Sequence, residues 1–156
     1  MSKLGSLLGK EYEDHKLSIL TRTFKFGEGT FKVIVPSVAR IEAIYNYRNA
    51  PNLEKIEAIY QDLKANLVIK PEDKVEEKEN DIVVNGRSIR ESATNTHLTQ
   101  YQILEYFKFL VPAKGQDVNN LTYEDINAEL PLQIQIEFME KINEVLSPDY
   151  KEITSK

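Results

Sequence analysis

The stretch that most constrains this chain is Thr23–Ile44, TFKFGEGTFKVIVPSVARIEAI, in which a glycine-flanked hairpin runs through Pro36-Ser37 into an amphipathic helix. Leu17–Phe26 and Thr30–Val35 are rich in β-branched and aromatic residues, the signature of strands. Gly27-Glu28-Gly29 between them supplies residues that tolerate the positive φ a short hairpin loop demands. Phe24 and Phe26 share one face, as do Phe31, Val33 and Val35 on the partner, while Lys25 and Lys32 point the other way. A lone two-stranded hairpin is marginal in water, so the apolar face must pack on helices.

Helical patterns supply that packing. Ser37 can cap a helix carrying Val38, Ile41, Ile44 and Tyr45 on one stripe. Asn52 can cap a second, to about Leu67, whose Leu53, Ile56, Ile59, Tyr60, Leu63 and Leu67 fall within a ~120° arc. Thr99 with Gln102 makes a capping-box pattern for a helix ending near Val111, where Pro112 stops it. Thr122 with Asp125 opens Tyr123–Leu130 in the same way, and Pro131 starts a last helix that ends near Leu146. The fold expected is α+β, mostly α-helical, with a small N-terminal β-hairpin packed on four to five amphipathic helices.

The organisation expected is a flexible N-terminal arm over residues 1–16, one globular domain over 17–148 and a C-terminal tail over 149–156. The arm carries Leu4, Leu7 and Leu8 on one helical face, but a turn and a half is marginal without a partner. It reads either as a frayed terminus or as an arm that docks on a neighbouring subunit. Lys70–Asp81 (KPEDKVEEKEND) holds six acids, three lysines and one valine, and reads as a mobile charged loop. Ile82-Val83-Val84 then meets an Asn85-Gly86 turn. The residues leave open what this short strand pairs with.

Composition narrows the function classes. A net charge of −5 argues against nucleic acid as a partner, since phosphate recognition wants a basic face and no Lys/Arg cluster is denser than Arg87–Arg90. The chain has no cysteine, which excludes disulfides and thiol chemistry and permits a reducing cytoplasm. No apolar run approaches ~18 residues, so no membrane span is expected. Met1–Lys10 is too short and polar for a secretory signal. At 156 residues the chain can bury roughly two-thirds of its unfolded surface without disulfide or metal.

Signals for chemistry are thin. His15 and His97 sit in polar, loop-like contexts without a ligand partner at metal spacing, and both read as ordinary surface residues. No serine lies in a Gly-x-Ser-x-Gly elbow, and the Gly27-Glu28-Gly29 loop lacks the Gly-Lys-Ser/Thr of a phosphate cradle. Glu76-Glu77 lie in the charge run, where no apolar pocket raises a carboxyl pKa. The expectation is a protein without enzymatic activity, cofactor or metal.

The strongest functional signal is surplus apolar girth on the two late helices. Ile103, Leu104, Phe107, Leu110 and Val111, extended by Tyr106 and Phe109, cover roughly 220° of one helix. Ile134, Phe138, Ile142, Val145 and Leu146, widened by Leu132, Ile136 and Met139, cover about 200° of the other. Such a helix is either central in its own domain or packed on a second surface. Tyr106, Phe109, Leu132 and Ile136 lie at the edges of these arcs and are the candidate partner-binding or oligomer-binding residues.

Phe24–Val35 (FKFGEGTFKVIV), followed by Pro36-Ser37-Val38 and the helix through Ile41 and Ile44, resembles the tail assembly chaperones of long-tailed phages and prophages. The helix Leu132–Leu146 with a short polar tail after it is similar too, and in layout the likeness runs over roughly two-thirds of the chain. The resemblance implies a non-enzymatic bacteriophage protein in the cytoplasm of the bacterial host. Such a protein self-associates, coats the tape measure protein while the tail tube polymerises, and is absent from the mature virion. It implies no transferable functional residue, and Lys70–Asp81 with Asn85-Gly86 departs from it as an insertion. The alternatives are a virion structural part, such as a head–tail connector or tail-completion protein, and a small acidic protein-binding adaptor.

Overall fold

The computed structural model describes residues 2–147, and the expected tail over 149–156 lies outside them. The fold is α+β and mostly helical, with a two-stranded and a three-stranded antiparallel sheet. Where one domain is expected over 17–148, the contacts gather into two compact units. One runs to Ile41 and resumes at Ile103, and the other is Glu42–Gln102.

The first unit begins with α1 (Lys3–Leu8) and α2 (Lys10–Leu20). The residues expected as a flexible arm are therefore two helices, and residues 17–20, expected as strand, finish the second. The Ser2 hydroxyl accepts from the Gly5 amide to start α1, and Gly9, with φ +81°, makes the corner to α2. At the far end the Thr21 amide and hydroxyl both bond back to the Leu17 carbonyl, which holds the β-prone Leu17-Ser18-Ile19 in the last helical turn. The chain then enters β1 (Thr21–Phe26) without a linker.

β1 pairs with β2 (Gly29–Ile34) in a register that sets Phe24 opposite Phe31 and Phe26 opposite Gly29. The connection is thus a two-residue turn, Gly27-Glu28, with φ +61° at Gly27 as a type II′ turn requires. Pro36 interrupts the strand path and the Ser37 hydroxyl accepts from the Arg40 amide to open α3 (Val38–Asn46).

Residues 108–111, expected as the end of a helix, leave helical geometry and dock on β2. The Ile34 amide donates to the Phe109 carbonyl and the Val111 amide to the Lys32 carbonyl, both at 2.8 Å. An unpaired β2 edge is a stronger claim on these amides than one more helical turn ahead of Pro112. The unit is completed by α6 (Tyr123–Glu129), whose Thr122–Asp125 capping box forms in both directions, and by α7 (Leu132–Leu146). Phe138 of α7 is the hub of its core. The rings of Phe26, Phe107, Phe31 and Phe24 lie 4.8, 5.0, 5.3 and 5.6 Å from it.

The second unit holds a 3-10 turn at Tyr47–Asn49 and α4 (Leu53–Ala65), capped by the Asn52 side chain. A small sheet follows, β3 (Val75–Lys78), β4 (Asp81–Val84) and β5 (Arg87–Ser88), and then α5 (Ile89–Phe107), whose residues to Gln102 belong to this unit and the rest to the first. The charge run expected to be a mobile loop contains a strand, and side chains fasten it. Asp73 accepts from the Lys70 amide and the Asn85 side chain, while Asn85 accepts from the Lys74 amide. Asn85 and Gly86, at φ +53° and +82°, form the type I′ turn between β4 and β5. The strand before it therefore belongs to a sheet of its own.

The helix expected to begin at Thr99 begins ten residues earlier. Ser88 caps it through the Glu91 amide and Asp81 through the Arg90 amide, so Thr99 and Gln102 lie in its interior. The core of this unit is Ile56, Tyr60, Ile89 and Ala93, flanked by Ile59, Leu67, Ile82 and Val84. Arg90 closes one side of it, 4.0 Å over the Tyr60 ring and 2.7 Å from the Glu57 carboxylate.

Candidate protein-binding surface

Three of the four candidate residues gather on one side of the first unit. Leu132 and Ile136 are one helical turn apart on α7, and Asn143 lies on the same stripe within ~40°, about 16 Å along the axis. The Tyr106 hydroxyl donates to the Asn143 Oδ1 at 3.2 Å, which places that ring at the far end of the stripe. Leu132 is 55 % exposed, and Tyr106 and Ile136 are half-buried.

Phe109 is different. Only 7 % of it is exposed, and Tyr106 meets its ring edge-on at 5.5 Å. Its apolar girth is used within the chain because the backbone leaves the helix at Phe107 and turns the ring inward beside β2. Phe109 supports Tyr106 and presents no face of its own. Phe138 and Ile142, on the opposite side of α7, fill the core.

The stripe is bordered by acids. Glu137, Glu140 and Glu144 are exposed, with Lys141 3.7 Å from Glu144. The resulting face is apolar along its line and negative at its margin, suited to an amphipathic segment that brings its own apolar edge and basic flank.

A second uncovered apolar feature lies in the same unit. A groove of about 510 Å³ is lined by Phe31, Leu110, Val111, Pro112, Val118 and Leu121, among others. Phe31 and Val111 remain 38 % and 40 % exposed there. Arg40 and Glu105 form an ion pair in this unit, and Glu105 is buried with Lys108 3.8 Å from its other oxygen. Nothing in the helical periodicity distinguishes Glu105 from a surface acid. Its burial depends on an arginine 65 positions away.

Ser88, beside a further hollow, is engaged in structure. Over Arg87, Ser88, Glu91, Ser92 and Asn95 lies a space of about 400 Å³. The Ser88 hydroxyl there donates to Asp81 and accepts from the Glu91 amide, so it caps a helix. Gln135 is fully buried and held by the Tyr123 hydroxyl at 2.8 Å and the Leu130 carbonyl at 2.8 Å. Burial pushes the Tyr123 phenol above its ordinary pKa.

His97, expected at the surface, is 5 % exposed and lies inside α5. Its Nε2 meets the Tyr47 hydroxyl at 2.7 Å, and Tyr47 stacks on Tyr101 at 3.6 Å. Burial, aided by the Lys55 charge, holds the imidazole below its ordinary pKa. His15 is exposed, as expected. Among the described residues, no group of three or more His, Asp or Glu is placed to hold a metal, and no helix is long and apolar enough to cross a membrane.

Comparison with protein-family models, curated proteins and solved structures finds no match for this chain.

Proposed function

We propose that this chain is a non-enzymatic phage tail assembly chaperone that self-associates and binds the tape measure protein during tail morphogenesis. The observation that carries the reading is the uncovered apolar stripe Leu132–Ile136, closed at its far end by Tyr106 and edged by Glu137, Glu140 and Glu144. A long helical client presents amphipathic turns one after another, and a stripe of this length accepts about three of them. Each such contact is weak by itself, so a self-associated chaperone holds the client by avidity. The net charge of −5 keeps the coated client apart from other copies. The hairpin-to-helix order in the first unit agrees with the layout that the resemblance implies.

A very long helical open reading frame is expected directly downstream of this chain's gene, and the test is co-expression with its product. Expected is a client that is insoluble alone and recovered in the soluble fraction with the chaperone. Purified virions should lack the chain. Its presence there in stoichiometric amount favours a structural part of the particle, and an unrescued client removes the chaperone reading.

A further inference from the structure

We propose that Asn85 is a deamidation site whose slow conversion to aspartate and isoaspartate unfastens the loop over residues 70–74 from the small sheet. Of the chain's asparagines, Asn85 alone precedes a glycine, so only there is the following amide unshielded by a side chain. Both residues are exposed at the turn between β4 and β5, which gives water access to them. The site stands apart from any client or second copy.

Water is the one co-reactant. The Gly86 nitrogen bonds to the side-chain carbonyl carbon of Asn85, and the C–N bond of the carboxamide breaks. Ammonia departs with the proton that the Gly86 nitrogen gives up, which leaves a five-membered succinimide. Water then opens the ring. Attack at the side-chain carbonyl restores the main chain with an aspartate. Attack at the backbone carbonyl leaves Gly86 joined through the former side chain, as isoaspartate.

The fold holds this reaction back. The Asn85 amide donates to the Lys74 carbonyl at 2.8 Å, its Oδ1 accepts from the Lys74 amide at 2.9 Å, and its Nδ2 donates to Asp73 at 3.0 Å. Backbone and carboxamide are thus both fixed toward residues 73 and 74. The left-handed backbone at Asn85, with φ +53°, also directs the Gly86 nitrogen away from that carboxamide. Ring closure therefore waits on a local opening, and these hydrogen bonds are solvent-exposed and open more readily than a core.

Either product loosens what Asn85 fastens. An aspartate tolerates the same left-handed φ but has no Nδ2 hydrogens, so Asp73 loses its donor and faces a second carboxylate. The Lys70 amide, at 2.7 Å, and then the Asn85 carboxamide hold the Asp73 carboxyl below its ordinary pKa, so it is charged when the product forms. Isoaspartate goes further, since it adds a main-chain atom to a two-residue turn whose geometry admits none.

The full chain is incubated at mildly alkaline pH, either native or unfolded in guanidinium chloride, and Asn85 is followed by peptide mass mapping. Expected is conversion in both states, at least ~10-fold slower in the native one because only the opened fraction reacts. Native Asp73→Ala, which removes the hold on Nδ2, should convert at least ~3-fold faster than the native unaltered chain. Circular dichroism confirms that the variant is folded. Asn85→Asp is exposed and compatible with the turn, so it too should fold, and it should speed hydrogen exchange at the Lys70 and Lys74 amides while α4 and α5 keep their protection. Native conversion as fast as unfolded conversion, or an Asp73→Ala rate equal to that of the unaltered chain, overturns the proposal. So does a native chain still unconverted after ~100 unfolded half-times, and so does unchanged exchange in Asn85→Asp.

Discussion

The Tyr47 hydroxyl joins His97 to the start of α4: its oxygen lies 2.7 Å from the His97 Nε2 and accepts the Asn52 amide at 2.9 Å. With the amide donating to that oxygen, the phenol proton points at Nε2, so the neutral imidazole carries its hydrogen on Nδ1. Protonating His97 puts a buried cation near Lys55 and reverses the hydrogen bond.

The sign of the pH dependence follows. The folded pKa is depressed, so folding favours the neutral ring, and that stability is complete above the unfolded value near ~6.5. It declines as pH falls through that value toward the folded pKa and changes no further below it. Urea midpoints should be level above about pH 7 and fall as the pH drops below about 6.5. The aspartate and glutamate shifts in the second unit are downward, so they act at lower pH. His97→Gln should flatten this window. A slope that survives unchanged in the variant assigns it to another group. Tyr47→Phe should cost about 1–3 kcal/mol at pH 7.5, because it leaves Nε2 buried without a donor.

Phe138→Ala should be the most damaging single truncation in the first unit. Four aromatic rings converge on that side chain, and its loss leaves a cavity that neither strand nor helix can close without moving the others. The expected cost is ~3–5 kcal/mol, read as a shift in the urea midpoint. Hydrogen exchange should show β1, β2 and α7 losing protection. If the loss is below about 1.5 kcal/mol, the typical limit for well-tolerated volume-conserving swaps, the cluster is not the hub described.

Arg40 and Glu105 should respond unequally to substitution. Arg40→Ala strands a buried carboxylate with only the more distant Lys108, whereas Glu105→Gln removes the charge and keeps a hydrogen-bonding group for Arg40. Arg40 is partly exposed, so water recovers some of the loss, and the expected cost of Arg40→Ala is about 1–3 kcal/mol. Glu105→Gln should cost less. The reverse order in thermal melts would mean that the carboxylate contributes through Lys108.

Much of this fold was legible because local signals coincide with tertiary ones. Thr122–Asp125 forms the capping box that its spacing announces, and Asn85-Gly86 makes its turn. The Leu132–Leu146 pattern gives α7 to the residue. Two of the misreadings trace to a partner distant in sequence. Val75 becomes a strand because Asp73 and Asn85 fasten the loop around it. Phe109 turns inward because β2 offers an open edge. A helix that starts at Thr99 leaves His97 ahead of it, but Ser88 with Glu91 three positions on is the same kind of signal and is the one used, which puts His97 inside the helix. Of the candidate surface, the α7 edge residues were readable from the width of the apolar arc. Their join to Tyr106 through Asn143 was not, since a polar residue on an apolar stripe carries no sequence mark.

Leu132→Asp separates binding from folding at that surface. Leu132 is exposed at the first turn of α7, where an added carboxylate is favoured by the helix dipole, so stability should change by less than about 0.5 kcal/mol. Client binding should fall, because the substitution puts charge on the apolar line and adds to Glu137 and Glu140 at its margin. Phe109→Asp cannot report on this surface, since it places a carboxylate in the core and fails in folding first. Ile136→Ser, half-buried beside Leu132, should reproduce the binding loss with a modest stability cost. The measurement is recovery of soluble client on co-expression, together with the thermal midpoint of each purified variant. Full rescue by Leu132→Asp and Ile136→Ser, with both variants folded, would clear the stripe of the role and move the client to another face.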